Sequence, residues 1–277
     1  MVDLTSRPSG ILAAGDAIWA EDHAQTDRVY AIDPETGKAL AAINVTRPCD
    51  LAATPGLVWV ADLEGDRLIR IDVTTRKADG EVPGVRGPCG PQVSAGAIWL
   101  AVDDGLARVD PKTGKVVTTK LGGSAFPGAG TPLWAATYES GDLLRVDTKS
   151  GAIKRTVSPP GDAVDGPPIA VGFDALWFGN GSSRRVYRLD PVTGAVRAEI
   201  ATSSPGRLLV TADSVWLTSY DEGVVERIDP ATNAVVYRAR LGGNINGITE
   251  GFGGVWVSDT GRGRLYRLDP AATGVEP

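Results

Sequence analysis

Carboxylates recur just behind tryptophans in this chain: Asp22, Asp62, Asp103 and Asp259 each lie three or four residues past a Trp. Gathered at one opening, four such groups would hold a divalent cation such as Mg2+ or Ca2+ through oxygen ligands, or would bind an amine. His23, the single histidine, follows Asp22 and has the titration range of a general base, although a lone histidine in a polar loop is commonly just solvated. Tyr138, Asn180 and Tyr220 occupy the same stretch behind their own tryptophans, while Asp50 and Arg207 each stand nine residues ahead of one. Together these ten residues form the candidate ligand-binding set. A plainer account competes for the aspartates, because Asp is also a good turn former that solubilises a hairpin. The segment Asp62-Leu63-Glu64-Gly65-Asp66 has some look of a calcium loop but lacks its remaining ligand positions and bidentate glutamate.

Cys49 and Cys89 are 40 residues apart, each ten ahead of a Trp, and therefore occupy equivalent places in successive repeats. Two readings stand for them: a disulfide, which requires Cα atoms within about 7 Å and would point to an oxidising compartment, or two separate thiols. Neither shows CxxC spacing for zinc. No Gly-x-Ser-x-Gly elbow, HExxH, Walker A or dinucleotide fingerprint occurs in a meaningful context. Lys112-Thr113-Gly114-Lys115 belongs to a hairpin and is not a phosphate loop.

What must position these residues is a repeat. The seven tryptophans Trp19, Trp59, Trp99, Trp134, Trp177, Trp216 and Trp256 all sit between apolar residues, at spacings of 35 to 43. A short apolar run with β-branched residues around an aromatic predicts a strand buried on both faces. A second strand follows, ending in an aliphatic-Asp pair such as Ile32-Asp33 or Val109-Asp110. The turn comes next, clearest in Asp33-Pro34-Glu35-Thr36-Gly37-Lys38: Asp bonds the turn backbone, Pro presets φ, and Gly supplies the positive φ of a bulged hairpin. A third strand returns, and a Pro/Gly-rich link leads to a fourth that precedes the next Trp. No segment carries an apolar 3.6-residue period, so the chain is predicted to be all-β: a single seven-bladed propeller over residues 1–277, with four antiparallel strands per blade.

The last copy stops after its turn without an outer strand, and residues 2 to 6 match the outer-strand pattern, so the N-terminal strand is expected to complete blade seven and remove an open edge. The arginine two positions before the repeat Asp, as in Arg70, Arg188, Arg227 and Arg267, is expected to fasten its own or the neighbouring blade. Residues that break the repeat at the loop ends are the informative ones. Links and post-Trp hairpins should gather on one face around the channel mouth, where ligands bind.

The chain has 277 residues and a net charge of −6 from 34 acidic and 28 basic residues, which disfavours nucleic acid and anionic membranes as partners. No apolar stretch is long enough to span a bilayer, so no membrane insertion is expected. A monomer binding a small molecule or a peptide fits best. An extracellular or periplasmic home with the leader removed is favoured over the cytoplasm.

The aliphatic-Trp-aliphatic strand and the Ile/Val-Asp-Pro-x-Thr-Gly-Lys turn resemble YVTN-type propeller repeats and the virginiamycin B lyase-like group, over essentially the whole chain. The resemblance implies the propeller fold. That lyase uses histidines, an acidic residue and magnesium on one face, whereas this chain offers only His23, so the catalytic set does not carry over. The expectation is a binding module at the channel mouth; the alternative is a metal-assisted lyase or hydrolase built on the mouth carboxylates.

Overall fold

A computed structural model describes residues 2–3, 7–22, 26–161 and 166–275. Among these residues there is no helix, and the strands form seven antiparallel sheets arranged as the blades of a ring. Blade 1 runs outward from the axis as Ile11–Ala14, Ala17–Asp22, Arg28–Ile32 and Ala39–Asn44. The tryptophan lies on the second strand in every blade, and the strand that ends at the repeat Asp is third.

The indoles explain why this repeat makes a ring. Each of the seven is at most 2% exposed and packs into the next blade. Trp19 meets Val58, Val60 and Ile71 of blade 2, Trp59 meets Ile98 and Leu100 of blade 3, and Trp256 closes the circle against Ile18 and Ile32 of blade 1. A flat, bulky side chain is needed at each wedge-shaped interface, and its removal leaves a cavity costing about 3–5 kcal/mol. Most indole N–H groups donate to an acceptor five residues back, such as Ala14 O at 3.1 Å from Trp19 or Gly172 O at 3.1 Å from Trp177. Two depart from this: Trp134 donates to Pro191 O of the following blade at 3.0 Å, and the buried Nε1 of Trp216 lacks an acceptor.

The turns follow their chemistry. Asp33 Oδ1 accepts from the amides of Glu35 and Thr36, both at 2.8 Å, and Gly37 adopts φ 72°. Such paired N–H donors hold the carboxyl groups of Asp33, Asp72, Asp110 and Asp190 below the usual range and bring that of Asp147 to about 2. The repeat arginines serve the blade contacts. Arg188 lies 5.4 Å over the ring of Trp177 and donates to Pro230 O of the following blade at 2.7 Å; Arg227 and Arg267 stack on Trp216 and Trp256 in the same way.

Closure comes from the N-terminal end. Val2–Asp3 adds antiparallel to Arg264–Leu268 of blade 7, with Val2 opposite Leu265; residues 4–6 of the expected strand lie outside the described residues. Blade 6 departs from the four-stranded expectation. Gly274–Val275 runs parallel to its outer strand Ala234–Arg240, because the chain leaving the last turn passes back over the neighbouring blade, where Arg227 donates to Pro270 O.

Candidate ligand site at the channel mouth

The post-Trp carboxylates do not meet. Asp22, Asp62, Asn180 and Asp259 stand at the same position, three residues past their tryptophans, and all are fully buried. Each folds back to close its own hairpin. Asp62 Oδ1 accepts from Gly65 N at 3.0 Å and Oδ2 from Arg67 Nε at 2.8 Å, Asn180 Oδ1 from Ser183 N at 3.0 Å, and Asp259 Oδ1 from Arg262 N at 3.0 Å. Asp22 and Asp259 also hold the incoming link, accepting from Arg7 N and Asn244 N, both at 3.1 Å. Asp103, one place further on, is exposed and sits 3.8 Å from Arg86. Among the described residues no three His, Cys, Asp or Glu side chains come together in a way that would hold a metal ion. His23 lies outside the described residues. Tyr220 is exposed and is absent from the cavities at the channel.

A different part of the candidate set converges. Nine residues ahead of each Trp, at the start of the innermost strand, the seven blades carry Gly10, Asp50, Gly90, Ala125, Pro168, Arg207 and Gly247. Only two of these are charged. They belong to blades 2 and 6, nearly opposite each other in the ring, and Arg207 Nη1 donates to Asp50 Oδ2 across the axis. Asp50 sits in a bulge of Pro48–Thr54 with φ 75°, the left-handed region that Gly90 occupies in the equivalent bulge of blade 3 at φ 59°. Such bulges re-aim a side chain, and a non-glycine held there costs about 1–3 kcal/mol that the surroundings must offset. Room for the carboxylate comes from Gly10, whose Cβ, were there one, would lie 2.6 Å from Asp50 Oδ1. The charge of Asp50 raises Arg207 above its ordinary value against the opposing effect of burial, and buried Glu21, which accepts from Gly10 N at 2.8 Å, adds to it.

Above this ion pair is a cavity of about 300 Å³. Its wall carries Phe126 and Tyr138, with ring centroids 6.0 Å apart, together with Pro127, Pro167 and Pro168. Below the pair, a second cavity of about 300 Å³ follows the channel between the innermost strands and shares Asp50, Gln92, Ala129, Arg207 and Leu208 with the first. The ion pair therefore divides the mouth from the channel. Cys49 and Cys89 form a disulfide with Cα atoms 4.9 Å apart, tying blades 2 and 3 together next to Asp50, and Cys89 itself lines the mouth. Sequence reasoning reached Asp50, Tyr138 and Arg207 but missed Phe126 and Gln92. The available signal was the break in the repeat: eight residues ahead of their Trp five other blades carry Ile11, Leu51, Ile169, Leu208 and Ile248, whereas blade 4, one residue shorter here, sets Pro127 in that slot opposite Ala135 and brings Phe126 into line with Arg207.

A repeat of unknown function, DUF6923, matches residues 5–129, less than half of the chain. A search of curated proteins found no match. Among solved structures, the chain is similar to a streptogramin B lyase at 20% identity and TM-score 0.79, covering 96% of each chain. It is also similar to the hydrazine synthase of Kuenenia stuttgartiensis at 12% identity and TM-score 0.77, covering 98% of this chain and 97% of that one. The β-propeller domain of Cps50 (Swd1) from Myceliophteria thermophila follows at 14% identity and TM-score 0.74, over 95% and 96%. The expected likeness to the lyase-like propellers holds at the level of fold. Such identities speak for the fold alone.

Proposed function

We propose that this protein is a ligand-binding propeller whose site is the channel mouth framed by Asp50, Phe126, Tyr138 and Arg207. One observation carries the proposal. Of seven equivalent innermost positions, only two bear charge, and those two meet across the axis beneath a cavity walled by an aromatic pair. A packing role would recur in every blade; a feature of two blades serves something off the sevenfold axis. A cavity of about 300 Å³ lined by apolar groups with a few convergent polar ones is the size and character of a small-molecule site. The metal-assisted lyase or hydrolase alternative draws less support, since Asp22 and Asp62 spend their oxygens on nearby donors, Asp259 gives Oδ1 to two amides and keeps a buried Oδ2 3.9 Å from Arg262 Nη1, and the three do not converge among the described residues. The disulfide supports an oxidising extracellular or periplasmic setting.

The test is a thermal-shift screen of a small-molecule library against the protein and its Tyr138→Ala variant. Hits should raise the melting temperature of the parent and lose most of that shift in the variant. Hits indifferent to both Tyr138→Ala and Arg207→Gln would overturn the assignment.

A further inference from the structure

We propose that the channel mouth takes a small zwitterion with an aromatic or branched apolar side chain, the chemistry of a free α-amino acid. Its carboxylate sits on Arg207, its ammonium group on Asp50, and its side chain against Phe126 and Tyr138. The inference rests on the channel-mouth reading and narrows it to one ligand class.

Charge selects the head group. Arg207 gives Nη1 to Asp50 and lines the cavity with a side chain that remains 38% exposed, which leaves further guanidinium donors for a ligand. A ligand carboxylate can accept from them in the paired geometry that guanidinium favours. A lone anion nevertheless meets an unfavourable field, because on Arg207 it would lie beside the Asp50 carboxylate that the guanidinium already holds. A lone cation answers Asp50 but leaves the guanidinium donors without an acceptor in a partly dry site. A ligand carrying both charges two bonds apart satisfies Asp50 and Arg207, which are themselves adjacent.

The remainder of the pocket selects the side chain. Gly90 and Gly166 leave space behind the two aromatic rings: a Cβ on Gly90 would come within 3.0 Å of Phe126, and one on Gly166 within 3.2 Å of Tyr138. The rings lie close to the backbone at these two glycines and line the cavity together with Pro127, Pro167 and Ile169. That wall offers apolar contact and little hydrogen bonding, which suits phenylalanine, tyrosine or leucine over a charged side chain.

Calorimetric titration with L-phenylalanine, phenethylamine and 3-phenylpropionate decides the matter. L-phenylalanine should bind at least tenfold tighter than either single-charge analogue. Asp50→Asn, which keeps a residue tolerant of the left-handed backbone, should weaken L-phenylalanine and phenethylamine but not 3-phenylpropionate, and Arg207→Gln should weaken L-phenylalanine and 3-phenylpropionate but not phenethylamine. The three-ligand series on the unaltered protein stands even where a variant fails to fold. Equal affinity for a single-charge analogue, or no heat with L-phenylalanine, L-tyrosine and L-leucine, would overturn the proposal. In that event, library hits that still depend on Tyr138 would leave the mouth as the site with a different ligand class; hits that do not would remove both.

Discussion

Replacing both cysteines, as Cys49→Ser with Cys89→Ser, should lower the melting temperature by about 7 °C without changing the fold. The bond closes a segment of 40 residues, and restricting a loop of that length in the unfolded chain is worth about 4 kcal/mol at 25 °C. Unfolding entropy near the midpoint is about 2.1 cal/mol/K per residue, so for 277 residues it reaches about 0.6 kcal/mol/K, and the quotient is the expected shift. The native side of the equilibrium adds little to this figure, because strands of blades 2 and 3 already pack through Trp59 and hold the two Cα atoms 4.9 Å apart. The assay is differential scanning calorimetry of the parent, the double variant, and the parent in excess reductant. The last two should agree. A shift below about 2 °C would refute the reasoning, showing that the loop is closed in the unfolded ensemble by other means or that the staple carries no stability.

Further perturbations separate packing from site. Trp216→Phe should cost about 1 kcal/mol less than Trp177→Phe in urea denaturation, because the Trp216 indole N–H has no acceptor to lose whereas Trp177 gives up its bond to Gly172 O. Asp147, held at about 2 by the amides of Ser150 and Lys149, contributes stability that is fully present above pH ~4 and disappears as the pH falls toward 2. The stability gap between the parent and Asp147→Asn should therefore be widest near neutrality and should narrow over that acid window; a constant gap would contradict the assignment. Asp50→Gly should change stability by less than about 1 kcal/mol, since relief of the left-handed backbone offsets the lost ion pair, yet it should abolish ligand binding at the mouth. Loss of folding in that variant would show that the pair is structural.

The ring was legible because its cause is local and repeated. An indole every 35 to 43 residues, followed each time by an aliphatic-Asp pair that opens a turn, states the strand order seven times, and each copy needs only its neighbour to bury its face. The exchange at the termini was half legible: the missing outer strand of blade 7 showed, whereas the parallel addition of Gly274–Val275 to blade 6 depends on where the chain travels after its last turn. At the site, the same periodicity misdirects. Asp22, Asp62 and Asp259 stand in equivalent places and look like a converging set, but an equivalent place brings an equivalent local partner, and each carboxylate finds its donor within three to fifteen residues. Asp50 and Arg207 are 157 residues apart, and nothing in either segment announces the other. What exposes them is their departure from a column of small or apolar residues. Phe126 escapes that test when positions are counted from the Trp, because blade 4 is one residue shorter ahead of Trp134 and only the pairing with Ala136 places it in line with Arg207.

The most direct trial of the channel-mouth assignment is a fragment soak of crystals of the whole chain, scored by where density accumulates. The account predicts that bound fragments concentrate between Arg207, Asp50 and the Phe126–Tyr138 pair, with a charged or polar group of each on the guanidinium. Fragments that populate the outer blade surfaces or the opposite end of the channel, leaving that mouth empty, would contradict it.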